Sequence, residues 1–323
     1  MGLGTNHSTL TTSDKFIPEL WSDEVIGEYK RNLVLANLVT KMSHKGKKGD
    51  SIHIPKPARG SASVKAASSQ VTLIADTATA VDISINKHYE YSKLIEDIAE
   101  VQALASMRKF YTDDAGYALA KQVDTSLFGV AQTLQGGTAT GDWYNGGTVF
   151  GTWTKAKYFT TGSTTLTDYV EASSTPIAIE DGGIRGMILA LDNADVPMDN
   201  RALVIPPVAA NDLLGIPRFT EQQFIGSGDA IKTGKIGQIY GVDVYISANC
   251  PTTGDAVNLA GNNTDRVGTL IHKDALVFAE QVGVRTQTQY KQEYLGDLFT
   301  ADTIYGVGEL RDDAGINFVV PAS

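Results

Sequence analysis

The chain has a single cysteine, Cys250, in 323 residues. A disulfide framework within the chain is therefore excluded. No proline falls between Pro57 and Pro176, so nothing in that interval forces a helix to break. No run approaches the ~18 apolar residues of a membrane-spanning helix. The first fifteen residues lack a basic segment followed by an apolar core, so the expectation is a soluble protein that stays in the cytoplasm of the cell that makes it. Basic residues are outnumbered, 27 Lys and Arg against 37 Asp and Glu, for a net charge of −10. Such a chain is repelled by DNA and by anionic membranes, which argues against general binding to either.

Chemical motifs are missing as well. His-Glu-x-x-His, Gly-x-Ser-x-Gly, Gly-x-x-x-x-Gly-Lys-Ser/Thr and Gly-x-Gly-x-x-Gly do not occur. His7, His44, His53, His88 and His272 are scattered, and none has a second ligand at a metal-binding spacing. The acid pairs Asp113-Asp114 and Asp312-Asp313 read as solvated surface. Cys250, just before Pro251, reads as a small buried filler. No enzyme activity, cofactor or metal is expected.

What the chain does contain is an amphipathic interval. Between residues 93 and 134, apolar residues recur at Ile95, Ile98, Val101, Leu104, Tyr111, Ala115, Leu119, Val123, Leu127, Val130 and Leu134. Steps of three and four predict one long helix with a buried face. At 1.5 Å per residue it would span roughly 60 Å. Before it lie two alternating runs, 51–55 and 81–86, which read as strands. The connection 58–80 is rich in Ala, Ser and Thr. A two-stranded hairpin with such a tip is marginal alone and needs a surface, from its own domain or from a neighbour.

Upstream, residues 1–18 read as a polar arm, followed by a short amphipathic helix that runs on to Val39. A basic turn, His44, Lys45, Lys47 and Lys48, precedes the first strand. It fits a solvated turn, a phosphate contact or an interface with a neighbour's acids. Residues 135–175 carry Trp143, Tyr144, Phe150, Trp153, Tyr158, Phe159 and Tyr169. Short hairpins with aromatic cross-strand pairs are the ordinary reading, and a glycan-binding surface is the sharper one. Beyond Pro176 the pattern becomes α/β. Helices are expected at 179–194 and 208–214, and strands at 202–205, 239–246, 267–272, 275–279, 284–290 and 316–320. The fold class is α+β.

The order of motifs then resembles a known family. It runs through Leu35-Ala-Asn-Leu-Val39, Gly49-Asp-Ser-Ile-His-Ile-Pro55, the long helix and Leu191-Asp-Asn-Ala-Asp-Val-Pro197. It continues with Arg201-Ala-Leu-Val-Ile-Pro-Pro207, Gly237-Gln-Ile-Tyr-Gly-Val-Asp-Val-Tyr-Ile246, Gly296-Asp-Leu-Phe299 and Tyr305-Gly-Val-Gly-Glu-Leu-Arg311. This is similar to the major capsid protein of tailed bacteriophages, the Hong Kong 97-type fold, in the branch found in short-tailed phages. The resemblance implies an N-terminal arm and helix (1–48), an extended E-loop (49–92) and a peripheral domain on a long spine helix (93–176). An axial domain (177–279) and returning strands (280–323) complete it.

The implied function is structural: hexamers and pentamers of an icosahedral shell around double-stranded phage DNA. The implied partners are further copies of the chain, a scaffolding protein and a portal protein at one vertex, with a decoration protein left open. The implied location is the virion capsid, with assembly in the host cytoplasm. Inter-subunit contacts are expected at Lys45, Lys47, Lys48, Lys56, Lys65, Glu96, Asp97 and Glu100, the acids being candidate partners of the basic turn. Some members of the family cross-link an E-loop lysine to a neighbour's asparagine. Lys56 and Lys65 lie in the E-loop, but no acceptor can be matched, so no cross-link is expected. An encapsulin-type compartment and a glycan-binding β-protein remain as alternatives at this stage.

Overall fold

The computed structural model describes residues 34–43, 49–56, 60, 62–71, 73, 79–97, 107–136, 155–170, 176–216, 237–253 and 265–321. Two long strands organise it. β11 (Leu276–Lys291) and β12 (Gly296–Glu309) form an antiparallel hairpin. β4 (Lys87–Glu96) adds antiparallel to β12, and β1 (Thr40–Ser43) adds parallel to the start of β11. The resulting sheet has the order β1-β11-β12-β4. Across it lies the spine helix α2 (Met107–Ala131), whose Ala115 and Leu119 pack on Phe299 and Ala301 of β12, flanked by Tyr89 and Tyr91.

A second sheet has the order β6-β5-β13-β10-β7-β9-β8. These strands are β5 (Lys157–Tyr158), β6 (Thr167–Asp168), β7 (Arg201–Ile205), β8 (Gln238–Ile239), β9 (Val242–Ile246), β10 (Arg266–His272) and β13 (Gly315–Val320). β7 and β13 are buried along their whole length, which is why they read as unbroken apolar runs. Helix α3 (Asp181–Asn193) turns Ile184, Met187 and Leu191 into the core. Helix α4 (Pro207–Leu214) starts with a proline at its first turn, where the missing N–H costs nothing. The two sheets share one apolar core. It runs from Leu35 of the one-turn helix α1 (Leu35–Leu38) through Leu127 and Phe128 of α2 to Leu203, Leu270, Leu276 and Phe318. Polar bonds join the same parts. The Asn317 side chain in β13 donates to the carbonyl of Ala131 at 2.6 Å, closing the last turn of α2. Asp124 of α2 is fully buried and accepts from Asn249 Nδ2 at 3.0 Å and from the Ala36 N–H at 3.3 Å. Burial raises its pKa against those bonds.

The expected helix over 93–134 is corrected at both ends. Residues 93–96 are strand, because β12 offers them a full ladder as far as the pair Glu96–Gly296. The period-2 set Tyr89, Tyr91 and Ile95 therefore wins over the helical spacing. At the other end the helix stops at Ala131, and Gln135 and Gly136 take positive φ of 62° and 71°. The strand expected over 239–246 is a tight hairpin. Tyr240 and Gly241 both have positive φ, 49° and 81°, and turn β8 into β9. The two strands expected at 275–279 and 284–290 are one strand, interrupted by bulges between Glu280 and Arg285. Phe159 and Tyr169 are buried, and the Phe159 ring lies 5.4 Å from that of Phe318. They are core residues and offer no surface to a sugar. Trp143, Tyr144, Phe150 and Trp153 lie outside the described residues. Cys250 is buried, and burial pushes its thiol pKa well up, as a filler residue requires.

The third sheet is the hairpin of β2 (Ser51–Lys56) and β3 (Thr79–Ser84). It sits on the first sheet where β12 carries two glycines. A Cβ on Gly306 would meet the Ser84 carbonyl oxygen at 2.6 Å, and one on Gly308 would meet Ile83 at 3.2 Å. Gly306→Val should therefore displace the hairpin from its seat and destabilise the chain by about 1–3 kcal/mol, the usual cost of overpacking. Chemical denaturation of the unassembled protein checks this, and an unchanged midpoint would show that the seat is soft.

Candidate functional site

The surface to consider is the hairpin and what it leaves uncovered. Its base is tied down: Ile83 packs with Val277 and Ala279, flanked by Met42, Ile52 and Ile54. Its tip is not. Val64 is 101% and Leu73 90% exposed, and no side chain of the described residues shelters them. The extended part of the connection, 62–71, holds a single turn, in which Ser69 N–H donates to the Ala66 carbonyl. Among the described residues, only the base of the hairpin has a surface to lie on.

Beneath the base lies a groove of about 590 Å³, lined by Pro55, Lys56, Val81, Asp195, Arg311 and Asp312 among others. Glu309 stands nearby and is half-buried. Burial raises its pKa, while a hydrogen bond from the Thr133 hydroxyl and the charge of Lys56 lower it. Lys56 therefore faces the acids of its own chain at the hairpin's hinge. Lys65 is exposed in the tip.

Glu96 is the last residue of β4, and Asp97 follows it. Both lie beside Leu295 and Gly296, at the far end of β12 from Lys56. Thirteen strand residues separate the two ends, about 40 Å. Within one chain, Lys56 and the pair Glu96 and Asp97 thus stand at opposite ends of β12. Lys45, Lys47, Lys48 and Glu100 lie outside the described residues.

One electrostatic feature was not anticipated. Arg285 of β11 grips Asp302 of β12 with two bonds, 2.7 Å from Nε and 2.8 Å from Nη2, while His88 of β4 reaches the same carboxylate at 3.1 Å. One carboxylate thus ties three neighbouring strands. Arg285 first, and then His88, hold its pKa below the usual carboxylate range. Only the strand pairing places these residues together, so spacing along the chain gave no sign of it. Among the described residues no three His, Cys, Asp or Glu side chains gather in a way that could hold a metal ion. No helix there is long and apolar enough to cross a membrane.

A long hairpin lying on a spine helix, a buried second sheet and an arm-like loop whose described tip residues are bare together define a shell-forming subunit of the Hong Kong 97 type. The model of the phage capsid protein family matches residues 19–310, and the chain belongs to that family. It is a structural capsid protein. No curated protein sequence matches it. Among solved structures it is similar to one from Mycobacterium phage Che8, with 24% identity, a TM-score of 0.72, and 94% of this chain and 97% of that one covered. It is similar to the capsid structure of the cyanophage P-SCSP1u, with 20% identity, a TM-score of 0.73, and 100% and 98% covered. The head structure of Helicobacter pylori bacteriophage KHP40 matches with 12% identity, a TM-score of 0.67, and 99% of each chain covered. At these identities the structures establish the shared fold.

The sign of the Asp302 contribution follows from its lowered pKa. The ion pair stabilises the fold above the unfolded carboxyl value near 3.9 and is lost as pH falls through the lower folded value. Asp302→Asn should lower the melting temperature at neutral pH and flatten its decline below about pH 4. Parallel acid titrations of the two proteins, followed by circular dichroism, would decide it. Superimposable profiles would mean that the three strands do not depend on this charge.

Proposed function

We propose that the chain self-assembles into hexamers and pentamers that close an icosahedral shell around double-stranded phage DNA. The observation that carries this reading is the hairpin, anchored at Ile83 and bare at Val64 and Leu73. Apolar area removed from water is worth about 25 cal/mol per Å², and a second copy is what can cover this tip at every position of a shell. The net charge of −10 suits a wall that should not grip its contents. Membership of a phage capsid family favours a DNA container over an enzyme-holding compartment.

On this reading a scaffolding protein guides closure, a portal protein occupies one vertex and a decoration protein is a further candidate partner. Assembly takes place in the host cytoplasm. Lys65, in the exposed tip, meets the neighbouring subunit. Lys56 holds the hinge from which the tip extends.

Removing residues 60–73 and rejoining the strands through a short glycine link should leave a folded chain with the circular dichroism of the parent. Closed shells should be absent from electron micrographs of that variant. Normal particles would overturn the role given to the hairpin. Boiled wild-type particles should run on a denaturing gel as a single monomer band, whereas a stable ladder would reveal covalent joining through Lys56 or Lys65.

A further inference from the structure

One side of β11 is open. β12 pairs with it from Leu276 to Lys291, whereas β1 covers the other side only from Val277 to Glu280. Among the described residues no strand pairs with that side further on. Residues 284–290, Val-Arg-Thr-Gln-Thr-Gln-Tyr, are exposed in an unbroken row. An open edge presents backbone N–H and C=O groups to any other strand, and edges are ordinarily blunted by charge, proline or bulges. In β11 the bulges stop at Arg285. Residues 286–290 contain no charge, proline or glycine, and their Thr and Tyr favour extended chain. Arg285 is the one charge in the row, and Asp302 already holds it.

The row is complementary to itself. Facing residues of an antiparallel pair must share a face of the sheet, so a two-fold axis between two copies of β11 passes through a residue. With the axis at Gln287, Tyr290 of each copy faces Val284 of the other. These are the two apolar residues of the row, 47% and 56% exposed. Thr288 then faces Thr286, Gln289 faces Arg285 and Lys291 faces Gly283, so no like charges meet. An axis at Thr288 would set Lys291 against Arg285, a like-charge pair that costs stability. An axis at Thr286 would leave Val284 facing Thr288. The Tyr290 hydroxyl donates to the Asp97 carboxylate at 2.8 Å, so its ring is fixed before docking and loses little freedom by it.

We infer that the open edge of β11 pairs with the same edge of a second copy, antiparallel about a two-fold axis at Gln287, so that two four-stranded sheets become one. Such a contact is isologous and closes at two copies. It therefore cannot join neighbours around one ring and instead links a subunit of one ring to a subunit of the next. The inference rests on the shell reading and deepens it: it names the strand by which one hexamer or pentamer holds another.

The test uses the full chain, whose native Cys250 is buried. Facing residues of an antiparallel pair hold their Cα atoms about 4.5–5.5 Å apart, within the span of a disulfide. Particles of Gln287→Cys, mildly oxidised, should therefore yield a disulfide-linked dimer on a non-reducing denaturing gel. Val284→Cys and Tyr290→Cys should yield that dimer when assembled together in equal amounts, and not when assembled separately. Charge gives a second measurement that needs no new bond. Gln287→Lys and Gln287→Glu each set like charges across the axis, so each alone should lower the melting temperature of particles, and an equal mixture should restore it. Closed particles that neither cross-link through Gln287→Cys nor respond to either charge would overturn the pairing and leave the shell reading intact. Amides of 284–290 protected from hydrogen exchange in particles, without the Gln287→Cys dimer, would overturn the choice of partner in favour of another strand. Failure of the unsubstituted protein to form shells would instead remove the shell reading itself.

Discussion

The first sheet, the spine helix and the seat of the E-loop hairpin take their positions from the antiparallel ladder between β11 and β12. β4 is extended through Glu96 because β12 pairs with it as far as Gly296. The spine helix lies where Phe299 and Ala301 offer it an apolar strip. The E-loop hairpin leaves the body where Gly306 and Gly308 let its backbone approach. The charge network of Arg285, Asp302 and His88 then ties that ladder to β4. Backbone pairing supplies the frame, and a few side chains fix what may rest on it.

The second sheet has a different task. Its central strands are sealed on both faces and share one core with the spine helix and the start of β11. Its core is covered by residues of the same chain. The long hairpin and the E-loop extend from it with apolar residues still in water, at Val64 and Leu73 on one arm and at Tyr294 and Leu295 on the other. Exposed apolar residues set on fixed supports are what a partner surface needs, and a closed shell supplies that partner in the form of the same chain.

Much of this was legible in the sequence. Unbroken apolar runs such as 202–205 and 316–320 marked buried strands, and the order of many weak motifs pointed to the capsid fold. What misled was local. Ile95 and Ile98 keep helical spacing, yet the pairing of Lys93 to Glu96 with a strand two hundred residues away overrides it. Tyr240-Gly241 turns a chain that read as one strand, because a tyrosine at positive φ is rare and the glycine beside it was the only cue. Bulges after Glu280 broke the alternation of β11 and made one strand look like two. The Asp302 network and the open edge of β11 arise from tertiary placement, so no period in the chain could announce them.

Cys250 carries a consequence for experiment. Its thiol is enclosed in the shared core and held in its neutral form by burial, and a neutral, enclosed thiol does not react with alkylating reagents. Labelling can proceed only through moments when that core opens. The sequence has no other thiol, so every labelled molecule records such an event at one known place. The rate of modification in free subunits, set beside the rate in closed particles, would measure how far enclosure by neighbours suppresses breathing of that core.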